Sequence, residues 1–181
     1  TASYSIFSVK DVNDNFMIPI NKYWNIEDAI ETSTKKDFIS TKKELKDLLI
    51  DSVEKQLVSD VPVGSFLSGG IDSSLVTAIA STLKKDKIKT FSIGYDSAKY
   101  DESEHALKVA KHLDTEHYAF KLTEDSVEEI LSDIIFHYDE PFADASAYPT
   151  MIVSKLARQH VTVTLSGDGA DELFLGYGMY N

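Results

Sequence analysis

Cysteine is absent from these 181 residues. That excludes disulfides, thiolate zinc sites and cysteine nucleophiles, and leaves any metal to carboxylates, hydroxyls and histidines. A hard, oxygen-seeking ion such as Mg²⁺ is then the natural candidate. Basic residues are scarce: 18 Lys and Arg stand against 30 Asp and Glu, a formal net charge of −12. Such a balance repels a phosphate backbone and argues against a nucleic-acid partner. The one short basic cluster, Lys84-Lys85-Asp86-Lys87, reads as the solvated end of a helix. No apolar run is long enough to span a bilayer and no charged-then-apolar leader opens the sequence, so a soluble, cytoplasmic protein with no membrane association is expected. What is present is an ordinary globular composition, 43% hydrophobic, enough for one core at roughly 100–200 residues per domain.

Residues 1–40 are polar, Asn-rich and weakly periodic apart from Phe16-Met17-Ile18-Pro19-Ile20 and Tyr23-Trp24, which predicts short strands and a linker, the tail of something preceding. From Thr41 the pattern sharpens. Thr41-Lys42-Lys43-Glu44 can form a capping box, and Leu45, Leu48, Leu49, Val53 and Leu57 follow at helical spacing, predicting a helix that ends near Ser59. An apolar run at 62–67 stops at Ser68-Gly69-Gly70, after which Leu75, Val76, Ile79, Ala80 and Leu83 keep a helical period. Strand, glycine loop and helix are the expectation.

The alternation then repeats, with a strand at 89–94, a helix with Ala106, Val109, Ala110 and Leu113 on one face, and a strand at 115–122. Two helices follow, one with Val127, Ile130, Leu131, Ile134 and Ile135 facing inward, the other with Tyr148, Met151, Ile152 and Leu156. A last strand at 161–165 runs into Ser166-Gly167-Asp168-Gly169-Ala170-Asp171-Glu172. The pattern predicts an α/β domain, a mostly parallel sheet with helices on both faces. Ligands bind such sheets at strand carboxyl ends, near the point where strand order reverses. Segments 68–73, 92–96 and 166–172 all fall at strand ends, so they can meet.

Ser68-Gly69-Gly70-Ile71-Asp72-Ser73-Ser74 has the residues a phosphate cradle needs. Glycines let backbone N–H groups approach an anion, hydroxyls add donors, and the following helix aims its positive end at the same place. It is not a Walker A loop, because Gly70 stands where that motif requires lysine. Asp72 would repel a bare phosphate, so an acid in this loop makes sense if it holds Mg²⁺ bridging the phosphates. The alternative is a tight strand-to-helix turn with Asp72 or Ser73 as N-cap.

The whole string resembles the pyrophosphate loop of ATP pyrophosphatases, and its flanks resemble the synthetase domain of glutamine-dependent asparagine synthetases. Thr90-Phe91-Ser92-Ile93-Gly94-Tyr95-Asp96, Tyr100-Asp101-Glu102, Thr115-Glu116-His117 and the loop beginning Leu165-Ser166-Gly167-Asp168 agree with that family in order and spacing. Lys22-Tyr23-Trp24 resembles the segment leading from its glutaminase domain. The resemblance implies the adenine-nucleotide α-hydrolase-like (ATP pyrophosphatase) fold over 41–181, with 1–40 the tail of a preceding glutaminase domain. It further implies that a carboxylate attacks the α phosphate of ATP, giving an acyl-adenylate and pyrophosphate, and that ammonia then displaces AMP. Aspartate is the implied acceptor. Other carboxylates, such as a sugar acid or a β-amino acid, are the alternative.

By position, the resemblance implies that Ser68, Gly69, Gly70 and Ser73 hold the pyrophosphate and that Leu67 and Ile93 meet the adenine. Ser166 and Gly167 would contact the sugar and α phosphate, and Asp72 and Asp171 would ligate Mg²⁺. Asp168 matches an acid important for adenylate formation, and Asp139 matches an acid at the mouth of the site. Asp139 reads equally well as a helix cap, and Asp171 and Glu172 also suit a helix start. The histidines, among them His105, His112 and His117, and the aromatic residues Tyr177 and Tyr180 carry no expected chemistry.

The chain departs from the family in lacking the glutaminase cysteine and, because it ends at Asn181, a phosphate-contacting lysine; this reads as a truncated synthetase domain, inactive alone or a non-catalytic ATP-binding fragment. Leu175 replaces a usual glycine. The partners expected are ATP, aspartate or a related carboxylate, ammonia and the glutaminase domain, and a homodimer is allowed. Some pyrophosphate-loop proteins adenylate a tRNA base, but the basic face and cysteines that would mark them are absent.

Overall fold

The structure is a computed structural model describing residues 2–6, 19–31, 35–95, 101–122, 124–138, 140 and 144–178, with 31 and 124–129 described for their backbone alone. It divides into two compact units, Thr1–Glu44 and Leu45–Asn181. In the first, strand β1 (Ser3–Tyr4) pairs antiparallel with β2 (Asn21–Lys22), and a short helix α1 (Ile26–Glu31) follows. The sequence pattern gave no sign of α1, although Glu27 and Asp28 in its first turn suit the positive end of a helix. Phe16, Met17 and Ile18 lie outside the described residues.

Helix α2 (Phe38–Gln56) begins earlier than the capping box at Thr41 predicts. Its cap is Asp37, whose Oδ1 accepts hydrogen bonds from the N–H groups of Ile39 and Ser40, both at 3.0 Å. Oδ2 accepts from Ser40 Oγ at 2.6 Å. A carboxylate that reaches two free amides and a hydroxyl outcompetes a lone threonine hydroxyl. These bonds hold the Asp37 carboxyl below its ordinary range. Thr41 sits inside the helix with its hydroxyl on the Asp37 carbonyl, and Glu44 pairs with Lys36 instead of closing a box.

The second unit continues through β3 (Val63–Phe66), α3 (Ile71–Leu83), β4 (Lys89–Tyr95), α4 (Ser103–His112), β5 (Glu116–Leu122), α5 (Glu124–His137), α6 (Ala147–Arg158), β6 (Val163–Leu165) and α7 (Ala170–Phe174). The four strands form one sheet in the order β5-β4-β3-β6, all parallel. The chain lays β3, β4 and β5 outward on one side and then returns to place β6 on the other side of β3. Strand order therefore reverses between β3 and β6.

Helices cover both faces, as expected. On one, Ser65 meets Thr77 of α3, and Leu67 is sealed against Ala106 and Ala110 of α4. On the other, Phe66, Phe91 and Tyr118 meet Val153, Leu156 and Ala157 of α6. A further cluster joins Val53 of α2 to Ile79, Ala80 and Ile88. Successive strand residues point to opposite faces, so neighbours such as Ser65 and Phe66 serve different helices.

Two helical stripes are narrower than the sequence suggests. Leu48 on α2 is exposed, and on α5 Ile130 is buried while Leu131 and Ile135 are 46% and 71% exposed. The main contact of α5 is α6, not the sheet, and one helix crossing another covers a slimmer strip than a sheet does. The side chain of Val127 lies outside the description. The last strand also starts later than predicted, because the N–H of Val161 is still bonded to the Ala157 carbonyl at 2.8 Å, at the end of α6.

Candidate functional site

A cleft of about 400 Å³ opens at the carboxyl ends of the strands. It is lined by Leu67, Ser68 and Gly70 of the β3–α3 loop with Asp72 and Ser73 of the first turn of α3, and by Ser166, Gly167 and Asp168 of the β6–α7 loop with Asp171 at the start of α7. These loops leave the two strands between which the order reverses, where their paths diverge and open a crevice. From β4 come Phe91, Ser92, Ile93 and Tyr95, and from the first turns of α6 come Pro149, Thr150 and Val153.

The β3–α3 loop is held by its own serines. Ser68 Oγ and Ser73 Oγ lie 2.9 Å apart, and the N–H groups of Ser68 and Gly70 donate to Ser73 Oγ and Ser68 Oγ, each at 3.3 Å. The N-cap of α3 is Gly70, with no side-chain capping bond. Neither Asp72 nor Ser73 caps the helix, so α3 starts without a side-chain cap beside a cleft that Gly70, Asp72 and Ser73 line, the arrangement that suits an anion.

Of the four residues expected to hold pyrophosphate, Ser68, Gly69, Gly70 and Ser73, only Gly69 does not line the cleft. Its φ of +88° favours glycine, and a Cβ there would stand 2.5 Å from the Ala106 N. Its work is to let the loop sit against the first turn of α4. Gly167 serves a similar close approach: a Cβ on it would stand 2.8 Å from the Ser73 N, so the two loops meet directly.

The electrostatics are one-sided. Asp72, Glu102, Asp168 and Asp171 line the cleft, and no lysine, arginine or histidine joins them among the described residues. An anionic ligand here needs a cation brought with it. Mg²⁺ would fit this donor set of hard carboxylate oxygens, since Mg²⁺ is commonly held by only one or two carboxylates. Among the described residues, no three carboxylate or imidazole groups converge as a self-sufficient metal cage. Asp168 Oδ2 accepts a hydrogen bond from Ser166 Oγ at 3.0 Å, which steadies the second loop.

At the other end, burial and the nearby Glu102 push the Tyr95 hydroxyl above its ordinary value. Asp101 Oδ1 accepts from the N–H groups of Tyr95 at 3.3 Å and Ser103 at 3.0 Å, tying the end of β4 to the start of α4. Asp139 lies outside the described residues, as do Asp96, Tyr100 and Tyr180. No histidine is among the described residues that line the cleft. His117 is instead bonded to Thr90 Oγ1 at 2.9 Å and Ser92 Oγ at 3.2 Å, and burial lowers its pKa.

Sequence reasoning missed Phe66, Phe91, Glu102 and the α6 residues Pro149, Thr150 and Val153 as lining groups. Glu102 belongs to Tyr100-Asp101-Glu102, whose family resemblance was the signal that could have found it. No sequence signal brings the start of α6 to the site, because that depends on how the helix lies across the sheet.

Comparison with known proteins agrees with this layout. Residues 44–181 match the family described as asparagine synthase. A putative glutamine-hydrolysing asparagine synthetase 2 of Methanocaldococcus jannaschii is 44% identical over 156 residues, 86% of this chain and 30% of that protein. Asparagine synthetase 1 of Bacillus subtilis, also described as glutamine-hydrolysing, is 44% identical over 138 residues, 76% of this chain and 22% of that protein. The chain thus spans less than a third of either relative's length. In fold it is similar to a glutamine-dependent NAD+ synthetase from Acinetobacter baumannii, solved in complex with ADP, with a TM-score of 0.54 and 20% identity over 90% of this chain and 31% of that one. The ATP pyrophosphatase fold is therefore the one adopted. With two serine-glycine loops meeting at the reversal of a parallel sheet and a family match over most of its length, this chain belongs to the asparagine synthase family.

Proposed function

We propose that the cleft binds Mg²⁺ and ATP and activates the side-chain carboxylate of aspartate by adenylation, releasing pyrophosphate, so that ammonia can form the amide of asparagine. The observation that carries this reading is the meeting of the β3–α3 and β6–α7 loops in one crevice, each contributing an aspartate, with no basic side chain among the described lining residues. Mg²⁺, held by Asp72 and Asp171, would neutralise charge on the phosphates.

The rest falls to the chain itself. The amides at the start of α3 and the hydroxyls of Ser68 and Ser73 hold the pyrophosphate, with Gly70 open to it and Gly69 placing the loop. Ser166 and Gly167 face the sugar and α phosphate. Asp168, steadied by Ser166, stands beside the reacting centre. Ile93 and the backbone of Leu67 border the adenine, the Leu67 side chain being sealed in the α4 cluster. Catalysis in this arrangement is positioning and charge neutralisation, with no covalent enzyme intermediate.

The test is isotopic. Aspartate labelled with ¹⁸O in its side-chain carboxylate is incubated with the protein, ATP, Mg²⁺ and ammonia. Label appearing in AMP, with pyrophosphate as co-product, supports adenylation; ADP and labelled inorganic phosphate would contradict it. Replacing aspartate with a sugar acid or a β-amino acid settles the acceptor.

A further inference from the structure

We propose that Gly176 is a positioning residue for Asp171, the absence of its side chain being what lets the Asp171 carboxylate take its place in the cleft. The inference rests on the reading of Asp171 as a ligand of the Mg²⁺ that accompanies ATP.

A Cβ built on Gly176 would stand 1.9 Å from Asp171 Oδ1 and 2.9 Å from its Cγ. The carboxylate occupies the space that any side chain at position 176 would need. Three features bring the two residues together. Leu175 closes α7 in the left-handed region, with φ 57° and ψ 40°, and turns the chain back across the helix end. The N–H of Gly176 then donates to the Asp171 carbonyl at 3.0 Å. One residue on, the Tyr177 hydroxyl donates to Glu172 Oε1 at 2.6 Å and braces the same turn.

Gly176 is not among the residues with positive φ, so alanine there meets no backbone strain. The group in its way is mainly the mobile end of an aspartate side chain; the Asp171 Cα, at 3.2 Å, asks for a shift of a few tenths of an ångström. The chain can therefore accept Gly176→Ala by swinging the carboxylate aside. The fold survives and the carboxylate leaves its place. Gly178, around which a Cβ would meet nothing within 4 Å, is the matched control.

The experiment is a cycle of Gly176→Ala, Asp171→Ala and the double variant, with Gly178→Ala alongside. Each is titrated with ATP in a calorimeter, with and without Mg²⁺, and its melting temperature is recorded. Gly176→Ala and Asp171→Ala should each weaken Mg²⁺-dependent ATP binding by about tenfold or more, the usual scale for disturbing a group that orients a metal ligand. Binding of Mg²⁺-free ATP should not weaken, the double variant should bind no worse than Asp171→Ala, and Gly178→Ala should match the parent.

Parent-like binding by Gly176→Ala beside a weakened Asp171→Ala would overturn the positioning role and leave the Asp171 reading intact. Full additivity in the double variant would also overturn it, because Gly176 would then act through something else. Unchanged Mg²⁺-dependent binding in Asp171→Ala would remove the ligand reading itself, and this inference with it. If Gly176→Ala fails to fold, the double variant decides: recovery of a melting transition supports the inference, since the methyl then fills the vacated space, and continued unfolding overturns it.

Discussion

Leu175 carries one of the two left-handed non-glycine conformations among the described residues, and its side chain is 66% exposed. Little packing offsets its strain, so Leu175→Gly should stabilise the protein by about 1 kcal/mol. The melting temperature should rise by about 2–4 °C for a chain of this size, read by circular dichroism. At Asp72, whose charge acts on the cation and phosphates, Asp72→Asn should weaken Mg²⁺-dependent ATP binding far more than binding of adenosine. Equal losses for the two ligands would count against the metal role.

His117 makes a separate prediction. Burial lowers its pKa below the ordinary 6.5, so the unfolded chain takes up this proton at a higher pH than the folded one. Stability should fall as pH drops below about 6.5 toward the depressed folded value, and should not change on this account above it. His117→Gln should remove that slope from a series of urea melts. Asp37 and Asp101, whose carboxyls are held low by hydrogen bonds, lose their contributions only in more acidic solution, so the two effects separate.

Elements were more legible than their edges. The strand, glycine loop and helix around residues 62–83 follow directly from an apolar run, Ser68-Gly69-Gly70 and a helical period. Asp37 displaced the capping box at Thr41 because several N-cap side chains stood close together and local sequence does not rank them by reach. The apolar residues of α5 mark a helix but not how wide a strip its neighbour covers. Phe91 shows how β4 ties the α6 face to the cleft: it is buried, stacks with Tyr118 at 5.5 Å between ring centroids, touches α6 and also lines the cleft. Phe91→Ala should cost about 3–5 kcal/mol in chemical denaturation, and ATP binding should weaken in the fraction that remains folded.

At the scale of the molecule, the net charge of −12 and four carboxylates in the cleft make bare phosphate an unwelcome ligand. Phosphate becomes a good one only when its charge arrives neutralised. Most of the site was legible in sequence because both loops announce themselves by glycine, serine and aspartate at strand ends. The wall from α6 was not, since helix placement across a sheet is a property of the packed whole.

Calorimetric titration with ATP, with and without Mg²⁺ and beside GTP and AMP, tests the cleft most directly. Binding that requires Mg²⁺ and prefers ATP is the expected result. Tight ATP binding that ignores Mg²⁺, or none by a sample shown to be folded, would contradict the assignment of this crevice to a metal-nucleotide complex.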